Sequence, residues 1–149
     1  MLTQYIKERS TGRHARTHVT TASPLPVATS TNMRVVSATI ASGASVSSAI
    51  SLNPGERIVG LWMPSAWTTA NVTIQASYDG TNYLPVISYG AAIQMFPSAS
   101  FFTTIDAVDA DKISRLPYVK LVSSTASGTT ITAVNQAAER TIQVVVVSQ

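Results

Sequence analysis

The chain contains no cysteine, which excludes disulfides, thiolate chemistry and cysteine-ligated zinc. Charge is scarce as well: 11% of residues are Asp, Glu, Lys or Arg, against roughly 25% in an ordinary soluble domain. A surface so poor in Lys and Glu suits a subunit partly covered by neighbours, because interface cores are depleted in those residues. No run of 18 apolar residues occurs, so no membrane-spanning helix is expected. The N-terminus carries positive charge without a continuous apolar stretch before a small-residue cleavage site, so no secretory signal is expected. The only histidines are His14 and His18, which leaves residues 33–149 without a base for Ser-His-Asp chemistry. There is no G-x-S-x-G elbow and no glycine-rich phosphate loop. These absences point away from an enzyme, and neither a cofactor nor a metal is expected.

What the chain does have is Ser and Thr, about a quarter of its 149 residues, together with abundant Val, Ile and Ala and little Leu. That composition favours short strands and turns over helices. The formal net charge of +3 is unevenly placed. Lys7, Arg9, Arg13 and Arg16 face Glu8 alone near the N-terminus, while the remaining six basic and six acidic side chains cancel. Residues 1–32 therefore read as an extended basic arm, punctuated by Pro24 and Pro26 and too poor in apolar surface to order by itself. The arm is expected to order on a partner through Tyr5, Lys7, Arg9, Arg13 and Arg16. Four cations suit phosphates, but the arm has no aromatic interleaving beyond Tyr5 and the rest of the chain has no excess of cations. An acidic protein surface is the favoured partner, and nucleic acid is not.

Residues 33–149 read as one domain. Strands are expected over residues 34–40, 45–52 and 56–63, with Asn53-Pro54-Gly55 as the turn between the last two. Residues 71–78 alternate without error: Val72, Ile74, Ala76 and Tyr78 on one face, Asn71, Thr73, Gln75 and Ser77 on the other. This parity places Tyr78 in the core. Asp79-Gly80 marks a hairpin, resumed as a strand from Tyr83. Further strands are expected over residues 101–105, 117–123 and 141–149. Residues 106–111 form a loop or one helical turn, and residues 123–130 a polar loop tip. The valines at 144–147 would invite aggregation on an open edge, so that strand is expected to be central or covered by a subunit. No helical stripe runs over about 12 residues, and the recurrent short strands give an all-β, single β-sandwich or jelly roll with an extended N-terminal arm.

The candidate chemistry is thin. His14 and His18 have helix-face spacing but no third ligand. Asp106, Asp109 and Asp111 form the one acidic cluster. Its fit to a calcium loop is poor, and the plainer reading has Asp106 capping a short turn. Asn71-Val72-Thr73 matches a glycosylation sequon in mid-strand. Trp62, Trp67 and Tyr83 are candidates for an interface or for stacking on a sugar ring, with core packing as the competing reading. Trp67, in the loop after Pro64, is the aromatic most expected to be partly exposed.

The segment 70–86, with its Ser77-Tyr78-Asp79-Gly80 turn and Tyr83 opening the next strand, resembles small jelly-roll modules of the discoidin and carbohydrate-binding kind. Tyr118-Val119-Lys120-Leu121-Val122-Ser123 is similar to their returning strand. The wider arrangement of residues 55–68, the Asp79-Gly80 hairpin and residues 134–142 resembles small virion proteins of tailed bacteriophages. That resemblance implies a non-enzymatic virion structural protein: a capsid cement or decoration protein attached through its arm to the major capsid or another virion protein, or a head–tail or tail accessory subunit. It also implies a homo-oligomer, with a trimer expected, and a place in the virion. The alternative is a carbohydrate-binding module for host glycans, with Trp67 and Tyr83 as stacking platforms.

Overall fold

Four consecutive valines at 144–147 prefer the pleated, half-buried surface of a sheet, and they lie at the heart of this fold. The computed structural model describes residues 32–148. In chain order its elements are β1 (Asn32–Ile40), β2 (Ile50–Ser51), β3 (Glu56–Trp62), β4 (Asn71–Ser77), β5 (Leu84–Pro85), β6 (Ile87–Ser88), β7 (Ala91–Ala92), β8 (Gln94–Met95), β9 (Phe102–Thr104), α1 (Ala107–Ile113), β10 (Tyr118–Ser127), β11 (Thr130–Ala133) and β12 (Arg140–Ser148).

The chain forms the expected all-β sandwich. One sheet has the order β1-β12-β3-β9 and the other β11-β10-β4-β5, with β2 also on β10, β8 also on β4, and β6-β7 as a separate ribbon. The valine strand β12 is central, between β1 and β3, and all four valines are buried. Val144 and Val146 point into the core with Ile142. By the period of two, Val145 and Val147 face outward, opposite Val35 and Met33 on β1 and Gly60 and Arg57 on β3. The core between the sheets is aliphatic: Ile40, Ile58, Leu61, Val72, Ile74, Val119 and Leu121 meet there, closed at one end by Ile113 of α1.

Several expectations need correction. Residues 45–52 alternate in sequence, yet only Ile50–Ser51 forms a ladder, and Val46 and Ser47 make isolated bridges to Val122 and Ile40. This segment caps the sandwich edge, where its bonds go to two different strands. Residues 123–130 are not a loop tip: β10 runs to Ser127 and returns as β11 through a turn at Gly128, which takes positive φ. Tyr78 is exposed and not in the core. β4 stops at Ser77, whose hydroxyl donates to Asp79 Oδ1 at 2.7 Å and accepts from Gly80 N–H at 3.0 Å. The chain turns there, so strand parity ends one residue short of Tyr78. The hairpin is present, with Gln75 opposite Pro85, but its loop is longer than Asp79-Gly80. The Asn82 N–H, with the Ser77 hydroxyl and the Thr81 N–H, holds the Asp79 carboxyl far below the ordinary carboxylate range.

The expected turn at residues 106–111 is α1, and Asp106 caps it by accepting from Val108 N–H at 2.9 Å. Beside the 53–55 turn, Arg34 donates to both carboxylate oxygens of buried Glu56, at 2.7 and 2.6 Å, and Asn53 N–H adds a third bond at 2.8 Å. The Arg34 fork, helped by Asn53 and opposed by burial, brings the Glu56 carboxyl down to about 2. A depressed carboxylate contributes stability that is present above its unfolded value of about 4.3 and lost as pH falls through the folded value. Thermal melts taken between about pH 5 and pH 2 are therefore expected to show a falling midpoint, and Glu56→Gln to lack that part of the slope. Equal slopes for the two proteins would contradict this role.

Candidate protein interface

The described residues bury no aromatic side chain fully. Trp67 is half-buried against the core, and its indole N–H donates to Ala70 C=O at 3.1 Å. Tyr83 is half-covered, with the Lys120 ammonium 4.1 Å from its ring centre. Both rings are therefore partly committed within the domain. The arm residues Tyr5, Lys7, Arg9, Arg13 and Arg16, and with them His14 and His18, lie outside the described residues.

Trp62 is different, and it does not stand alone. Trp62 is 62% exposed, and the three phenylalanines of the chain, Phe96, Phe101 and Phe102, are 69%, 66% and 51% exposed. Trp62 on β3 pairs directly with Phe102 on β9, so the two rings share the outer face of the first sheet. Phe96, Phe101 and Phe102 together wall an open groove of about 470 Å³ beside β9. Three of the four exposed rings thus share one groove, and the fourth, Trp62, stands opposite Phe102 on the neighbouring strand.

The backbone holds this patch in place. Gly60 lacks a side chain where the Phe102 ring lies over the sheet, and a Cβ there would collide with that ring and sit 2.9 Å from the Thr103 carbonyl oxygen. The loop carrying Phe96 and Phe101 is pinned to the end of β3: Met63 N–H donates to Phe101 C=O at 3.0 Å, and Ser100 N–H to Pro64 C=O at 2.9 Å. Ser100 adopts φ +65, a left-handed conformation that costs on the order of 1 kcal/mol for a residue with a side chain. The exposure of Phe101 is therefore built, not a loose end.

The carboxylates nearby are committed locally. Asp106 caps α1, Asp109 lies 3.5 Å from Lys112 (i,i+3), and Asp111 lies 3.5 Å from Arg115 (i,i+4). Among the described residues no group of three or more His, Cys, Asp or Glu is placed to hold a metal ion. In the sequon triplet, the Asn71 amide donates to Gln94 and Thr73 is buried against Ser124 at 2.8 Å, so both side chains serve the sheet. No helix of the described residues is long and apolar enough to cross a membrane.

Sequence reasoning singled out Trp62, which is exposed, but did not single out Phe96, Phe101 and Phe102. The available signal was in the composition: a chain with abundant Ile and Val can fill its core without aromatics, which leaves the few it has for the surface.

No family model matches the chain. No curated protein matches it either. Among solved structures it is similar to the crystal structure of SPBc2 prophage-derived protein YomS, at 13% identity, covering 78% of this chain and 96% of that chain, with a TM-score of 0.45. A likeness of that degree carries no functional argument.

Proposed function

We propose that the chain is a non-catalytic structural subunit that works by docking onto other protein subunits, and that its place is in a phage particle as a capsid cement protein. The observation that carries the docking reading is the segregation of its aromatics. The core has no fully buried aromatic and only Trp67 packs against it, while all three phenylalanines and Trp62 stand exposed around the β3–β9 edge. Contiguous exposed apolar surface on a soluble domain marks an interaction site, and aromatic anchors dominate the energy of protein interfaces. The phage assignment rests on the resemblance of residues 55–68, the Asp79-Gly80 hairpin and residues 134–142 to small virion proteins. A compact β knob with a basic arm suits cementing, because many modest contacts repeated over a symmetric shell add avidity.

In this reading the patch supplies the specific contact and the arm adds electrostatic attachment. The test uses empty capsid shells of the phage that carries the gene. The intact protein is expected to co-sediment with them. The full-length K7A/R9A/R13A/R16A variant is expected to bind about tenfold or more weakly, with a flatter salt dependence. Equal binding of the two proteins at low salt would remove the arm from the mechanism.

One observation favours a second reading. The exposed Trp62 ring shares a shallow surface with Thr141 and Gln143, an aromatic beside a hydroxyl and an amide. That is the chemistry of a sugar platform. A glycan array signal abolished by Trp62→Ala would favour a carbohydrate-binding module over the cement.

A further inference from the structure

Strand β1 is an edge of the first sheet, and its free edge has a defined extent. β1 pairs with β12 without interruption from Asn32↔Ser148 to Ile40↔Arg140. In an antiparallel ladder, alternate residues turn both N–H and C=O toward one neighbour or the other. Thr39 fixes the phase: its N–H donates to Ser48 Oγ at 3.1 Å and its C=O accepts from Ser48 N–H at 2.8 Å, both away from β12. Counting back in steps of two, Met33, Val35 and Ser37 also turn their N–H and C=O outward. Among the described residues, nothing meets them. The same three side chains lie on the outer face, with Met33 67% and Val35 58% exposed.

This edge lacks the usual guards. It has no Lys, no Pro and no bulge. Its one charge, Arg34, is on the inner face and bound to Glu56 at 2.6 Å. The free stretch is bounded at one end by Thr39, which Ser48 already satisfies, and it is centred on Val35.

We infer that β1 pairs antiparallel with β1 of a second copy about a two-fold axis at Val35, joining the two four-stranded sheets into one. A strand with three outward residues spaced by two is its own complement under that operation. Val35 meets Val35, Met33 meets Ser37, and every outward N–H finds a C=O. The faces match, because outer-face residues meet outer-face residues. Slipping the centre to Arg34 would set two guanidinium groups opposite each other, and slipping it to Val36 would run into the Ser48 contact. The chain outside residues 1–32 has equal numbers of basic and acidic side chains, so the two domains carry no net charge against each other. The inference deepens the assembly-subunit reading and rests on it for its biological meaning. It sets a two-fold where the sequence suggested a trimer.

The test uses the full-length protein, whose lack of native cysteine makes an introduced one unambiguous. A hydrogen-bonded antiparallel pair has Cα atoms about 5.5 Å apart, inside the range a disulfide spans. Val35→Cys is expected to oxidise to a covalent dimer about tenfold or more faster than Tyr89→Cys, a cysteine away from the edge at a more exposed position. Val35→Lys, which sets like charges directly opposite, is expected to sediment as a monomer that still unfolds cooperatively, at or below the wild-type melting temperature. The inference is overturned if Val35→Cys crosslinks no faster than Tyr89→Cys, or if folded Val35→Lys keeps the wild-type mass. Shell binding separates the two readings. A Val35→Cys dimer that forms at the expected rate, from a protein that binds no shell, leaves the two-fold standing and removes the cement.

Discussion

Replacing Gln136 by leucine is expected to destabilise the domain by about 3 kcal/mol, although leucine has a similar volume and the residue touches no proposed partner. Gln136 is fully buried. Its side-chain oxygen accepts from Thr68 N–H at 2.9 Å, and its amide donates to Thr68 C=O at 3.2 Å and to Ser123 Oγ at 2.8 Å. Its backbone joins the 41–44 turn: Gly43 N–H donates to Gln136 C=O at 2.9 Å, and Gln136 N–H to Ala44 C=O at 2.8 Å. One side chain therefore ties the Trp67 loop to β10. Leucine would strand the buried Ser123 hydroxyl and both backbone groups of Thr68, and unsatisfied buried groups cost about 1–3 kcal/mol each. The midpoint of thermal unfolding is expected to fall by roughly 10 °C in a domain of this size. Gln143→Leu is the control: a half-buried glutamine on the outer face, accepting one bond from Ser37 at 3.1 Å, should cost less than about 1 kcal/mol. A Gln136→Leu midpoint equal to that of Gln143→Leu would show that the buried network contributes little.

The second large effect is on binding and not on folding. Trp62 and Phe101 are mostly exposed, so truncating them removes little packing within the domain. The W62A/F101A double variant is expected to melt within a few degrees of wild type and to be more soluble, since two exposed aromatic side chains are removed. If the patch is the docking surface, the same variant loses its anchors. Anchor residues at the centre of an interface contribute about 2 kcal/mol or more each, so the pair is expected to weaken binding by about 100-fold or more. The contrast between unchanged stability and lost binding is what distinguishes an interface from a core.

Much of this architecture is legible in the sequence because burial and period coincide there. The valine run at 144–147 can only be buried on both faces, and it is the central strand. Asp106 before a short apolar stretch reads as a helix cap, and it is one. The failures have physical causes. Tyr78 obeys strand parity on paper, but the Ser77 hydroxyl closes a turn on Asp79 and Gly80, and parity ends where the strand does. Residues 45–52 alternate like a strand yet divide their bonds between β1 and β10. The aromatic patch was only partly legible. Trp62 is a local feature, but its partnership with Phe96, Phe101 and Phe102 depends on β9 pairing with β3 about forty residues away in the chain, a register no local pattern specifies. Gln136 gave no local signal at all, since its partners lie at residues 43–44, 68 and 123.

The most direct test of docking through the aromatic patch is a titration of empty capsid shells with the wild-type protein and with W62A/F101A, each first shown to be folded by its thermal melt. Saturable binding by the wild type, with affinity lower by about 100-fold in the variant, is the expected result. Equal binding by both proteins, or no binding by either, would contradict it.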